Sequence, residues 1–183
     1  MTLRLEGPVL RAGRLERGEV AVAAGRILAS PEGRRRRLPV GWIVAPGLVD
    51  LQVNGFGGAE VDDDPDALAG VARALPSAGV TAFCPTLVSR SPAAYRRAAA
   101  ALAATAWPGG GARPLGVHLE GPFLARPGAH TRSALRAPAP EEVERLLAAF
   151  APAIVTLAPE LPGGLDAIAR IARTGAVAAV GHT

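Results

Sequence analysis

From Val40 onward, continuous apolar runs alternate with segments of helical period, and that alternation constrains the fold more than any other feature. The runs are Trp42 to Val53, Val80 to Leu87, Arg113 to Glu120, Ala153 to Ala158 and Ala176 to Thr183. Between the first two, Asp64-Pro65 supplies an N-cap residue and a proline at the first helical position. Leu68, Val71, Ala72 and Leu75 follow at i, i+3, i+4 and i+7, the stripe of an amphipathic helix, and Gly79 ends it. Ser91-Pro92 opens an Ala-rich helix running to Thr105. Pro140 opens another, with Glu141 and Glu142 well placed against the dipole of its first turn and Val143, Leu146, Leu147 and Phe150 as its stripe. Leu165 to Arg173 is a further helical segment. Strands that are apolar throughout, separated by helices, predict a parallel sheet covered by helices. Right-handed crossovers leave two architectures, an open doubly wound sheet or a (β/α) barrel. No G-x-G-x-x-G opens the first helix and no G-x-x-x-x-G-K-[ST] occurs, which weighs against a nucleotide-binding open sheet. In either architecture, chemistry sits at the carboxyl ends of the strands.

The residues before Val40 read differently, as short strands joined by turns: Pro8 to Arg11, Glu19 to Val22, and Arg26 to Ala29 after the turn at Ala24-Gly25. The segment EGRRRRLP, Glu32 to Pro39, reads as a solvated polar hairpin or loop, with a phosphate or nucleic-acid patch as the sharper alternative. At 183 residues and 49% hydrophobic, the chain has enough apolar surface for one sizeable core. Its formal charge is +4, but every cation is Arg, with no Lys and a single Gln and Asn. The basic character is then partly a bias toward GC-rich codons, and the few aromatics do not interleave with the arginines, so nucleic-acid binding is not expected. The one cysteine, Cys84, excludes an intrachain disulfide and reads as a small buried hydrophobe. The opening MTLRLEGPVL lacks the apolar core of a signal peptide, and no apolar run approaches the length of a membrane span. A soluble cytoplasmic protein without membrane partners is the expectation.

The scarce histidines and carboxamides concentrate near strand ends. His118, His130 and His182 lie at or just after the carboxyl ends of predicted strands, and so do Gln52, Asn54, Glu120 and Glu160. His118 and Glu120 are two apart on one strand and share a face. Glu120 and His182 can supply an oxygen and a nitrogen ligand, two of the three protein ligands of a catalytic metal site, or serve as a capping carboxylate and a packing histidine. His118 reads more readily as a supporting or packing histidine than as a ligand. Gln52 and Asn54 share a face in the same way. They fit a hydrogen-bonded Asn-Gly turn, or a site where other enzymes place a His-x-His metal pair.

Six segments in order carry a specific resemblance: APGLVDLQVNGFGG (Ala45 to Gly58), GVTAFCPTLVS (Gly79 to Ser89), GVHLEGPFL (Gly116 to Leu124), PGAH (Pro127 to His130), VTLAPE (Val155 to Glu160) and VGHT (Val180 to Thr183). Together they resemble the N-acetylglucosamine-6-phosphate deacetylase family of the amidohydrolase superfamily, across essentially the whole chain, with AAGRILAS similar to that family's small β domain. The resemblance implies an α/β fold: an incomplete (β/α)8, TIM-type barrel of about five β/α units over residues 45–183, preceded by part of a small β-sandwich over residues 1–44. It implies hydrolysis of the acetamide of N-acetylglucosamine 6-phosphate to glucosamine 6-phosphate and acetate, with one divalent metal ion, zinc or iron. Glu120 and His182 match the family's metal ligands and His130 the residue that polarises the substrate carbonyl. Gln52 and Asn54 match the branch in which Gln-x-Asn replaces His-x-His; with His118 and Glu160 they would line the site. The family's further histidine ligand and catalytic aspartate lie on later strands. The expectation is therefore an N-terminal portion that is inactive alone and forms a homodimer when complete. Other amidohydrolases, acting on different amides, and a non-catalytic half-barrel binding module are the alternatives.

Overall fold

The computed structural model describes residues 2–29 and 33–183, which form two compact units, Met1–Gly47 and Leu48–Thr183. In the first unit, β1 (Leu3–Arg11) and β2 (Arg14–Ala23) form an antiparallel hairpin in which Leu3 faces Val22 and Arg11 faces Arg14. The two-residue turn Ala12-Gly13 is left-handed at both positions (φ 46° and 77°), the geometry whose twist matches a hairpin. Ala24-Gly25 repeats it (φ 48° and 73°) before β3 (Arg26–Leu28).

The arginine run differs from its sequence reading. Arg34–Arg37 is strand β4, pairing parallel with β1 at the edge of a sheet ordered β3-β2-β1-β4. Charge hid the strand, and charge is what suits it there, because exposed cations on an edge strand discourage pairing with another chain. Glu6 on β1 answers two of them, bonding Arg35 and lying 3.8 Å from Arg37. Glu32, where the predicted loop began, lies outside the described residues.

The apolar run expected as one strand from Trp42 to Val53 is divided. Val44 bridges Val9 of the small sheet, and strand β5 begins only at Leu48 (Leu48–Val53), after Pro46, which has no N–H to donate, and Gly47. A small hairpin follows, β6 (Gly55–Phe56) and β7 (Ala59–Glu60), turned by Gly57 and Gly58 at φ 64° and 84°. The glycines of NGFGG are thus the turn itself. Helix α1 (Pro65–Ala74) starts as its signals predict: the Asp64 carboxylate accepts the Asp66 N–H at 2.9 Å, and Pro65 occupies the first turn. A 3₁₀ turn, Leu75–Ala78, and left-handed Gly79 lead into β8 (Val80–Val88). Ser91 caps α2 (Pro92–Ala104). The predicted strand Arg113 to Glu120 is two pieces, β9 (Arg113–Pro114) and β10 (His118–Glu120), separated around Gly116 at φ 131°. Then come α3 (Pro140–Phe150), β11 (Ile154–Leu157), α4 (Gly164–Arg173) and β12 (Val177–Val180).

The order β12-β11-β10-β8-β5 decides between the two architectures. Every main pairing along this path is parallel, and each strand lies beside the next in sequence. A doubly wound sheet reverses its order at a switch point; a barrel does not. This is a curled parallel half-barrel. Its core joins Phe83, Leu87, Leu119 and Leu157 from the strands to Leu68, Val71, Val143 and Ile171 from the helices, all essentially inaccessible to solvent. Cys84 is buried as expected.

Candidate metal and acyl-transfer site

Parallel alignment brings all strand carboxyl ends to one rim, and there the chain gathers three side chains. Glu120 ends β10, His130 lies in the loop that follows it, and His182 lies just past β12. One ligating atom from each falls within 4.8 Å of the others. His182 Nε2 is 3.2 Å from Glu120 Oε1, His130 Nε2 is 3.7 Å from Glu120 Oε2, and the two imidazoles meet edge-on with centroids 4.7 Å apart.

His182 is held from several sides. Its backbone is left-handed (φ 55°), unusual for a residue other than glycine, and its carbonyl accepts N–H groups from Ala125 (3.1 Å) and Arg126 (2.8 Å). Its Nδ1 lies 3.1 Å from the Arg126 carbonyl. A carbonyl only accepts, so Nδ1 carries a hydrogen; in the neutral ring this leaves the lone pair on Nε2, the nitrogen turned toward Glu120, the arrangement that prepares an imidazole to ligate a metal. Gly128 makes this close docking possible: a Cβ there would stand 3.0 Å from His182 Cε1, and its φ is 52°.

His130 Nδ1 lies 2.9 Å from Ser89 Oγ and accepts the Ser89 backbone N–H at 3.2 Å. Its ring is almost wholly covered, and burial holds its pKa below the ordinary histidine range against the opposing charge of Glu120.

His118 is buried within the sheet and reaches its two neighbouring strands and, beyond β8, β5. Nδ1 donates to the Leu51 carbonyl of β5 at 2.9 Å, leaving Nε2 to accept the Thr156 hydroxyl of β11 at 2.8 Å, and Thr86 Oγ1 of β8 is 3.4 Å away. Desolvation lowers its pKa, opposed by the Leu51 carbonyl and Glu120. Both nitrogens are engaged, so it supports the strands beneath the cluster.

The other candidates fall elsewhere. Asn54 donates to the Thr86 carbonyl at 3.4 Å and lines a cleft of about 660 Å³ with Phe56, Glu60, Asp62 and Arg90. Gln52 is exposed at the end of β5, where its backbone N–H bonds the Asp50 carboxylate at 3.0 Å. Glu160 is exposed in the turn after β11. Among the described residues, no hydrogen bond joins Gln52, Asn54 or Glu160 to the cluster. Ser89 is not among the residues expected from sequence; its one signal there is its place at the end of GVTAFCPTLVS, just past the carboxyl end of β8.

A parallel half-barrel sheet with a carboxylate and two imidazoles converging on its carboxyl rim is a layout suited to holding a divalent ion. No protein-family model matches the chain. Individual proteins do. Human N-acetylglucosamine-6-phosphate deacetylase is 38% identical over 193 residues, covering 96% of this chain and 47% of the human protein. N-acetylgalactosamine-6-phosphate deacetylase of Escherichia coli O157:H7 is 32% identical over 147 residues, covering 77% of this chain and 39% of that protein. The crystal structure of N-acetyl-D-glucosamine-6-phosphate deacetylase from Mycobacterium smegmatis matches with a TM-score of 0.82 and 34% identity, covering 100% of this chain and 54% of that one. A mutant of that enzyme in complex with N-acetyl-D-glucosamine-6-phosphate matches at 0.78, again with 34% identity, covering 100% of this chain and 50% of that one. In sequence and in fold, this chain is similar to N-acetylglucosamine-6-phosphate deacetylases over nearly its whole length, and it spans about half the length of the curated relatives it matches.

Proposed function

We propose that this chain forms part of an enzyme that hydrolyses the acetamide of N-acetylglucosamine 6-phosphate to glucosamine 6-phosphate and acetate. In this reading the first unit belongs to a small β-sandwich domain and the second to the catalytic barrel. The observation that carries it is the Glu120–His182 pair: a carboxylate and an imidazole 3.2 Å apart, with Nε2 turned inward because Nδ1 is taken up by the Arg126 carbonyl.

This donor set suits one borderline divalent ion such as zinc or iron(II), for which oxygen and imidazole are ordinary ligands. Glu120 and His182 would hold it, and it would supply Lewis-acid polarisation of the amide and a more acidic water. His130 has the other task. Buried and neutral beside Glu120, it donates a hydrogen bond to the carbonyl oxygen of the substrate as negative charge develops there, a contribution of about 2–4 kcal/mol to the transition state. Gln52 and Asn54, as neutral carboxamides, line the approach without holding a second ion. His118 and Glu160 complete the surroundings, His118 from beneath and Glu160 from the rim.

The cluster supplies two ligands and one donor, and Glu120 is its only carboxylate, already engaged with the imidazoles. A separate carboxylate to take the proton from water and pass it to the leaving amine is not among its members. The chain alone is therefore proposed to be inactive, with turnover belonging to the complete enzyme, a cytoplasmic homodimer.

Titration of zinc into the metal-free chain tests the site. One ion should bind per chain, and Glu120→Gln should weaken binding by more than the roughly 10- to 100-fold that loss of an outer partner costs. Unchanged affinity would remove the basis of the reading. An acetate-release assay of the complete enzyme on both 6-phosphate epimers separates the glucosamine from the galactosamine substrate, which the second relative's activity makes the principal competitor.

A further inference from the structure

We propose that Ser89 is a positioning residue that fixes the hydrogen of His130 on Nε2, so that the ring donates into the Glu120–His182 site and does not ligate there. The inference rests on the proposed role of His130 but concerns a residue to which that role assigns nothing.

The argument begins with the Ser89 backbone. Its N–H lies 3.2 Å from His130 Nδ1 and can only donate. A hydrogen on Nδ1 would face that N–H and leave it buried without an acceptor, which costs more than an ordinary hydrogen bond returns. The Ser89 hydroxyl, 2.9 Å from the same nitrogen, donates to it as well; the alternative acceptor, the Glu120 carbonyl, is farther at 3.3 Å. Nδ1 is therefore the bare nitrogen of the neutral ring, and Nε2 carries the hydrogen toward Glu120. Ser89 is 6% exposed, so water does not compete freely for either bond.

The surrounding backbone is shaped to admit this hydroxyl. Gly121 adopts φ 82°, and a Cβ built there would lie 2.2 Å from Ser89 Oγ. The glycine after Glu120 leaves the space that Ser89 occupies. His182 shows the opposite polarity, with its Nδ1 against the Arg126 carbonyl at 3.1 Å. Two imidazoles with centroids 4.7 Å apart are thus oriented oppositely, one by a backbone acceptor and one by a backbone donor reinforced by a hydroxyl. In their neutral forms, one turns a lone pair to the site and the other a hydrogen.

The tautomer can be read without metal, substrate or turnover. With only three histidines in the chain, long-range ¹H–¹⁵N correlation of the imidazoles in mildly alkaline, metal-free solution resolves each ring, and loss of signals in His130→Gln assigns His130. The wild-type spectrum should show a pyridine-type Nδ1 and an N–H-bearing Nε2. Ser89→Ala should raise the ratio of the Nδ1–H form to the Nε2–H form by roughly three- to tenfold, the effect of one lost hydrogen bond, and Ser89→Thr, which keeps both donors, should restore the wild-type ratio. A wild-type ring protonated at Nδ1 overturns the proposal by itself, whether or not Ser89→Ala folds. A ratio unmoved in a folded Ser89→Ala overturns the part played by the hydroxyl. Failure of Glu120 and His182 to bind metal would undo the catalytic reading and leave these spectra unchanged, so the two failures are distinguishable.

Discussion

At the scale of the residue, the site depends on contacts that no single side chain announces. Gly128 is the clearest case. A Cβ added there meets the His182 ring at 3.0 Å and sits on a left-handed backbone of φ 52°, so two independent costs fall on one substitution. Gly128→Ala removes neither of the proposed ligands, yet it should push His182 away from Glu120 and lower zinc affinity by about 10- to 100-fold, as loss of a ligand's support does. Calorimetric titration checks it, and an alanine variant that binds as tightly as wild type would show that the ring tolerates the displacement. Glu120, His130 and His182 are legible in the sequence because the chain has only three histidines and all three residues fall where strands end. Ser89 and the Arg126 carbonyl are not. Their roles arise across separations of 41 and 56 residues and depend on which atom donates, and neither a serine nor a backbone carbonyl carries that information in a linear string.

At the scale of the element, local chemistry is enough to predict where helices begin. Asp64 is extended (φ −111°, ψ 112°), and its carboxylate accepts the Asp66 N–H; α1 therefore has both its cap and its proline. The helix α3 has proline but a cap residue, Ala139, whose side chain offers nothing to the exposed N–H groups. The two starts predict opposite responses. Asp64→Ala should cost about 1 kcal/mol, and Ala139→Asp, at an equally extended backbone (φ −69°, ψ 134°), should gain up to about 1 kcal/mol. Urea unfolding monitored by circular dichroism gives both values, and a destabilising Ala139→Asp would mean that like charge from Glu141 and Glu142 outweighs the cap. Strands were harder to place. The run Arg34–Arg37 has no hydrophobic periodicity, because an edge strand with exposed side chains needs none. The pieces β9 and β10 read as one strand in the sequence because Leu115 and Val117 continue the apolar run across Gly116, whose backbone breaks it.

At the scale of the whole molecule, the half-barrel of residues 48–183 carries a consequence of its own topology. Five parallel strands cannot close a barrel, so β5 and β12 are both edges. Continuous apolar runs promised strands covered on both faces, and the central ones are; the edges are not. Leu48, Val49 and Leu51 on β5 are about half or more exposed (62%, 57% and 52%), as are Val177 and Val180 on β12 (59% and 63%). Neither edge carries the protecting cations of β4. A strand row with unpaired N–H and C=O groups beside exposed valine and leucine is a template for a second chain. The 183-residue chain should therefore self-associate as its concentration rises. Sedimentation velocity should show a weight-average mass above the 18.6 kDa monomer that falls on dilution. Val49→Lys with Val177→Lys should shift the distribution toward monomer while leaving the far-ultraviolet circular dichroism unchanged, since both side chains already face water and neither contributes to the buried core. A wild-type chain that stays monomeric at its solubility limit would mean that the two edges are protected from each other by some feature other than charge, and would leave the apolar rows on β5 and β12 as tolerated surface.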